Sequence, residues 1–216
     1  MDKINEREAL RQYLIDNGLY MVQKSELETL ANDAAKSFKD YPLCIYITGD
    51  KYDEDLASQN LRVSLNCMID EGIIYSDSKD LNGLVILMPP GYTGIKTLSY
   101  IWNGGFKVLY RQGISAMKRI ASYESFAMDI RKKYTNYEDW YLYYIYVKEE
   151  AKGKKICSKL VKPLLNYIKA NKKMCYLETH SHPNVPVYEH FGFKIVEKCM
   201  LPNSNVAHYS MLFDCR

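Results

Sequence analysis

The sequence lacks several patterns that identify common classes of protein. No apolar run approaches the roughly 20 residues of a membrane-spanning helix, and the N-terminal MDKINEREALRQ has no apolar core of a signal peptide. The net charge is only +3 over 216 residues, whereas nucleic-acid-binding domains are normally far more basic. We therefore expect a cytoplasmic protein with neither a membrane nor a nucleic acid as its partner.

Paired cysteines and the common nucleotide-binding loops are also missing. The six cysteines are scattered through apolar stretches and form no C-x-x-C pair, which favours free, mostly buried thiols. There is no G-x-x-x-x-G-K-[ST] segment and no G-x-G-x-x-G segment, so the chain contains neither a Walker A loop nor a Rossmann fingerprint.

The segments that are present predict a mixed α/β protein. Apolar residues make up 47% and charged residues 25%, as in ordinary globular domains. Periodicity and turn residues predict helices over 4–16, 26–38 after an N-cap at Ser25, 55–69, most of 96–133 with breaks at 103–105 and 112–113, the segment from 156, and 185–191. They predict strands over 19–23, 73–76, 84–88, 140–147, 175–179, 194–200 and 207–213. We expect one domain, 1–216, in which 1–17 form an N-terminal helical extension.

A glycine among lysines follows the strongest strand. The strand WYLYYIYV leads into AKGKK, and a helical pattern begins at Ile156. The first amides of a helix lack internal partners, and glycine lets a phosphate approach the backbone. Taken alone, the segment favours a solvated helix start over an anion site.

Two longer blocks resemble the GNAT superfamily of N-acetyltransferases. WYLYYIYVKEEAKGKKICSKLVKPLL resembles its acetyl-CoA-binding motif, whose loop is written [QR]-x-x-G-x-[GA]. Lys152 replaces Gln or Arg there, and Lys155 and Cys157 stand where small residues are usual. CYLETHSHPNVPVYEHFGFKIVEK is similar to the later part of the family, with Tyr188 on its tyrosine. The combination of WYL, YLET, NVPVYE and GF is most similar to the puromycin N-acetyltransferase-like branch.

The resemblance implies the GNAT acyl-CoA N-acyltransferase fold, with an acetyl-CoA-binding core over about 139–213. Its central sheet is mostly antiparallel, splayed between strands 4 and 5 and flanked by helices. Acetyl-CoA, released as CoA, would pair its arm with Ile145, Tyr146 and Val147. The cofactor-binding residues that the resemblance implies beyond that strand are Lys152, Gly153, Lys154, Lys155, Ile156, Cys157, Ser158 and Asn184.

The resemblance also implies catalytic residues. Tyr188 would be the general acid toward the leaving thiolate, although a core tyrosine would show the same local pattern. Glu178 is the candidate general base or, equally, a structural hydrogen-bond acceptor, and His180 is a weaker candidate. His180 and His182 favour a polar loop over a metal site, because no third ligand lies near them in sequence. Cys157 is expected to pack rather than to act as a nucleophile.

The function that follows is an acetyl-CoA-dependent N-acetyltransferase, EC 2.3.1.-, acting on a small-molecule amine by direct attack in a ternary complex. A non-catalytic or regulatory acyl-CoA-binding protein is the alternative, motivated by Lys155 and Cys157 in the loop. A homodimer is possible. Aromatic residues of 96–133 are expected either to line the acceptor site or to fill the core, and they are Trp102, Phe106, Tyr110, Tyr123 and Phe126.

Overall fold

A computed structural model describes residues 3–49 and 51–216 of the chain. Residues 1 and 2 of the expected N-terminal extension lie outside this part. The helices are α1 (Lys3–Asp16), α2 (Leu27–Ser37), α3 (Pro42–Thr48), α4 (Glu54–Met68), α5 (Thr97–Tyr100), α6 (Phe106–Thr135), α7 (Ile156–Ala170) and α8 (Val185–His190). The strands are β1 (Tyr20–Met21), β2 (Ile73–Ser76), β3 (Gly83–Met88), β4 (Trp140–Val147), β5 (Met174–Thr179), β6 (Lys194–Met200) and β7 (Ala207–Asp214).

The strands form one seven-stranded sheet in the order β1-β2-β3-β4-β5-β7-β6. Every neighbouring pair is antiparallel except β4 and β5, which are parallel. A parallel pair needs a crossover connection, and α7 supplies it. The expected mixed α/β fold with a mostly antiparallel sheet is confirmed.

The parallel pair is joined only at its beginning. Trp140 pairs with Cys175 and Tyr141 with Tyr176, and no further pair connects the two strands. The backbones of 142–147 and 177–179 therefore separate into a wedge. This is the splay expected between strands 4 and 5, and it is confirmed.

A bulge in β4 changes which side chains face which layer. Ile86 pairs with Tyr144 while the next residue, Leu87, pairs with Leu142, so Tyr143 is an extra residue in β4. One extra residue reverses the alternation of a strand. As a result Ile145 packs in the same layer as Leu142 rather than opposite to it.

Two hydrophobic layers cover the sheet. On one face, Leu10 and Leu14 of α1 pack with Leu160 and Leu164 of α7. The helix expected as an N-terminal extension thus contributes fully buried residues to the core. On the other face, α2 and α4 pack over Ile86, Tyr141, Tyr176 and their neighbours.

Two details of the helix predictions are wrong. Ser25 is not an N-cap, because residues 24–26 form a separate helical turn and α2 starts only after Glu26. Helix α3 was not predicted, and it begins at Pro42, a residue that is favoured in the first turn of a helix. The breaks expected within 96–133 are confirmed at Gly104 and Gly113, both of which have positive φ.

Within the described residues, none of the helices combines the length and apolar character required to span a membrane.

Candidate active site

The wedge between β4 and β5 opens into a groove of about 130 Å³. The first part of its lining comes from Ile145, Tyr146 and Val147 at the end of β4. The remaining lining residues come from α7, α8 and the turn before α8, and they are Cys157, Asn184, Val187 and Tyr188. Six of the residues proposed from sequence therefore meet at one groove. Val187 was not foreseen.

The loop from 152 to 155 brings free amides to the start of α7. Within the described residues no backbone acceptor is found for the amides of five residues, namely Gly153, Lys155, Ile156, Cys157 and Ser158. By contrast, the amides of Lys152 and Lys154 donate to Glu149 and Ala151 at 3.1 and 3.2 Å. The amides open to an anion are therefore a subset of the expected run.

Two residues of this loop adopt left-handed backbone conformations. Gly153 has φ of 77° and Lys155 has φ of 60°. Glycine adopts this region without steric cost, but a side chain costs roughly 1–2 kcal/mol. A Cβ at Gly153 would meet no atom within 4 Å, so only its φ selects glycine. The family preference for a small residue at position 155 thus has a backbone reason, and this chain places lysine there.

The lysines around the loop differ in their partners. Lys152 forms an ion pair with Glu149, and Lys148 lies 2.9 Å from Asp33. Lys154 and Lys155 are exposed and have no ion pair among the described residues. These two side chains and the helix dipole give the groove a positive end.

Tyr188 lines the groove from α8. It is 7% exposed and its ring stacks edge-on against Phe193. Burial raises the pKa of its phenol well above the usual value, with smaller contributions from Tyr41 and Cys157. The phenol therefore stays protonated at neutral pH and can act as a hydrogen-bond donor or acid. Burial also raises the pKa of the Cys157 thiol, which disfavours a thiolate nucleophile.

Glu178 is held by two tyrosines away from the groove lining. Tyr123 Oη donates to Glu178 Oε2 at 3.0 Å, and Tyr176 Oη lies 3.2 Å from Oε1. Burial raises the pKa of this carboxyl to about 6, although these hydrogen bonds oppose the rise. A carboxylate with this pKa is poised to exchange protons near neutral pH.

A buried histidine pair lies beside Glu178. His180 Nε2 is 3.1 Å from His208 Nδ1, and His208 Nε2 is 2.8 Å from Ser210 Oγ. Burial lowers the pKa of His180 to about 3 and that of His208 to about 4, so both rings are neutral at pH 7. His180 thus contacts His208 rather than His182. No cluster of three potential metal ligands is found in 3–49 or 51–216.

Tyr41 connects the groove with the Glu178 region. Its hydroxyl lies 3.3 Å from Thr179 Oγ1 and accepts a hydrogen bond from the His180 amide at 3.0 Å. Thr179 Oγ1 also accepts from Asn184 Nδ2 at 3.4 Å. Asn184 therefore has a structural partner in addition to its place on the groove.

The aromatic residues considered for the acceptor site divide into two groups. Tyr123 contacts Glu178 and Phe126 packs edge-on against His208 at 5.4 Å. Trp102, Phe106 and Tyr110 are 83%, 70% and 84% exposed. These three residues do not enclose a pocket in this structure.

Several residues around Glu178 were missed by sequence reasoning, namely Tyr41, Tyr176, His208 and Ser210. The alternation of polar side chains in AHYSMLFD was a usable signal for the last two. It could not be interpreted without the register that places β7 beside β5.

Comparisons with known proteins find similar acetyltransferases. The model of the acetyltransferase (GNAT) family matches residues 122–193. An uncharacterized N-acetyltransferase of Schizosaccharomyces pombe is 24% identical over 192 residues, which are 85% of this chain and 77% of that protein. The chain is thus similar to acetyltransferases of the GNAT family over 122–193 and to an N-acetyltransferase over most of its length.

Solved structures share the fold at low sequence identity. A structure named as histone acetyltransferase HPA2 and related acetyltransferase, from Corynebacterium glutamicum, has a TM-score of 0.64 at 12% identity, covering 90% of this chain and 93% of that one. The polyamine N-acetyltransferase of Drosophila melanogaster has a TM-score of 0.55 at 8% identity, covering 91% and 98%. The chain has the GNAT fold.

Proposed function

We propose that the protein is an acetyl-CoA-dependent N-acetyltransferase that acetylates the amine of a small molecule by direct attack in a ternary complex. The observation that carries the proposal is the groove itself. It joins a splayed β4, the free amides before α7 and a buried, protonated Tyr188. The puromycin N-acetyltransferase-like branch is a finer proposal, which rests on the segments WYL, YLET, NVPVYE and GF.

The backbone groups and charges along the groove suit acetyl-CoA. The unpaired edge of β4 offers backbone groups to an extended arm, as an added strand would use them. The five free amides and the exposed Lys154 and Lys155 suit a pyrophosphate at a helix N-terminus. Lys152 is already paired with Glu149, so we assign it a peripheral part. Cys157 and Asn184 line the groove and complete the proposed contacts.

Acetyl-CoA supplies an acetyl group activated as a thioester. Glu178 accepts the proton that the attacking amine must lose, and its pKa of about 6 keeps it ionised at pH 7. Tyr188 donates a hydrogen bond and then a proton to the departing sulfur, which its raised pKa allows because the phenol is protonated beforehand. Burial of Tyr188 keeps water away from its phenol.

The cofactor site is tested by thermal unfolding with acetyl-CoA, CoA or ATP. A ligand at about 100 times its Kd should stabilise the protein by about 2.7 kcal/mol, a shift of several degrees. We expect the shift with acetyl-CoA and CoA but not with ATP. A screen of amines, including polyamines, then measures turnover, because the Drosophila enzyme shows that this fold accommodates such acceptors.

A matched pair of glycine variants tests whether acetyl-CoA binds at the loop from 152 to 155. Gly153→Ala and Gly94→Ala each force a side chain to positive φ, and each new Cβ points into open space. Both should lose similar stability, but only Gly153→Ala should reduce the acetyl-CoA shift. Equal shifts in the two variants would contradict the loop as the binding site. A cofactor shift without turnover on any amine would favour the non-catalytic acyl-CoA-binding protein.

A further inference from the structure

A continuous hydrogen-bonded chain leaves Glu178 through the sheet. From Glu178 Oε1 it passes to Tyr176 Oη at 3.2 Å and then to Ser210 Oγ at 2.8 Å. From Ser210 Oγ it continues to His208 Nε2 at 2.8 Å and from His208 Nδ1 to His180 Nε2 at 3.1 Å. Each of the four groups beyond Glu178 can both donate and accept a proton.

The register of β5 and β7 dictates this chain. Glu178 pairs directly with Ser210. Side chains two residues apart lie on the same face of a strand, so Tyr176 and His180 share the face of Glu178, and His208 shares the face of Ser210. Polar residues at alternate positions of two adjacent strands thus form one row beneath α6.

The four residues beyond Glu178 are buried, and both histidines are uncharged at pH 7. Tyr176, Ser210 and His208 are 0% exposed, and His180 is 5% exposed. A buried structural polar cluster needs only satisfied hydrogen bonds. This one is also continuous with the carboxylate that we propose as the base.

We propose that Tyr176, Ser210, His208 and His180 form a relay that carries the proton accepted by Glu178 away from the reacting amine. The inference rests on the proposed function, since it assigns Glu178 the role of base. The four residues act through Glu178 and touch no reacting atom.

The proton balance closes at every step. Glu178 returns its proton to Tyr176 Oη while Tyr176 passes its own to Ser210 Oγ. Ser210 passes its proton to His208 Nε2, and His208 releases the one on Nδ1 to His180 Nε2. His180, which at 5% exposure is the least buried of the four, then loses the proton on its Nδ1 to solvent. Each relay group gains one proton and loses one, so none ends charged, and Glu178 is again a carboxylate.

The test is steady-state acetylation by Ser210→Ala, which removes the central link with little change in volume. We expect kcat to fall about tenfold with KM for both substrates unchanged. Imidazole added at fixed pH and ionic strength should restore much of the loss, because a small base can remove the proton directly. The kcat of the wild-type protein should not respond to imidazole.

His180→Asn, at the outer end of the relay, provides a second variant should Ser210→Ala not fold. His190→Gln is the matched control, because His190 is exposed on α8 and lies outside the row. An unchanged kcat in the relay variants, or a loss that imidazole does not reverse, would overturn the relay. Absence of turnover by the wild-type protein would instead count against the proposed function.

Discussion

The two sides of the β4–β5 wedge are built from different chemical groups. The groove side offers backbone amides, a glycine and exposed lysines at the start of α7. The Glu178 side offers side-chain hydroxyls and imidazoles, nearly all of them buried. Backbone groups suit a ligand whose phosphate and amide groups do not vary. Side chains suit proton transfer, and they allow the acceptor to differ between relatives with the same fold.

The largest expected effect comes from the residue on the groove side that we assign to acid catalysis. Tyr188→Phe should lower kcat by about 10³ because the leaving sulfur loses its proton donor, while the acetyl-CoA thermal shift stays the same. Tyr167→Phe removes a hydroxyl from another buried tyrosine, on α7, and should leave kcat unchanged. If both variants keep full activity, Tyr188 is a core residue.

A smaller effect is expected on the other side. Glu178→Gln should lower kcat/KM at pH 7 by about 10², since the amine can still lose its proton slowly to water. In the wild-type protein kcat/KM should fall below about pH 6 as the carboxyl becomes protonated. The groups that set this pKa against burial are Tyr123, Tyr176, Tyr141 and Arg131.

The pH profile of kcat/KM separates the two roles of Glu178. Glu178→Gln should lose the acidic limb near pH 6, whereas Glu189→Gln, an exposed change on α8, should retain it. If kcat/KM of Glu178→Gln still fell below about pH 6, another group would be titrating. Glu178 would then be a structural hydrogen-bond acceptor.

The histidine pair should make stability depend on pH. Folding lowers the pKa of His180 to about 3 and of His208 to about 4 from an ordinary value of 6.5. The unfolded chain therefore binds more protons as the pH falls below about 6.5, and stability falls with it. The slope approaches about 1.4 kcal/mol per pH unit for each histidine.

Denaturant unfolding between pH 7 and pH 4 measures this slope. The double variant His180→Gln/His208→Gln should show a shallower decline than the wild-type protein, whatever its stability at pH 7. Identical slopes would mean that the two rings are solvated or protonated in the folded protein.

The smallest expected effect comes from Lys155, and it separates backbone strain at this residue from its contribution to acetyl-CoA binding. Lys155 and Lys172 are exposed lysines with φ of 60° and 51°. Replacing either with glycine should stabilise the protein by less than about 1 kcal/mol, because relief of strain is partly offset by the flexibility of glycine. Only Lys155→Gly should change acetyl-CoA affinity, measured by calorimetry. An equal change in acetyl-CoA affinity in Lys172→Gly would contradict a specific part for Lys155 in binding.

The groove could be predicted from sequence because its parts are close together along the chain. Strand, loop and helix follow one another from 140 to 170, and a family motif describes such a block. The sequence showed only that Lys155 departs from the motif, and it did not show the backbone strain at this residue. Which amides are free depends on turns that use Lys152 and Lys154 as donors, and sequence does not specify those turns.

The Glu178 side could not be assembled from sequence because it joins distant segments. Tyr41, Tyr123 and His208 reach Glu178 or its neighbour His180 from the residue preceding α3, from α6 and from β7. Helix α3 was missed altogether, and the register between β5 and β7 is set by long-range pairing. The relay therefore emerges only after folding brings these elements together.

The short pairing of β4 with β5 has a mechanical consequence. Two residue pairs near Trp140 join β1–β4 to the remaining three strands. The sheet therefore consists of two parts that are connected at one end only. A molecule hydrogen-bonded to both parts of the sheet would restrain their motion relative to each other. Hydrogen exchange should then slow at amides on either side of the wedge, including positions that the molecule does not touch.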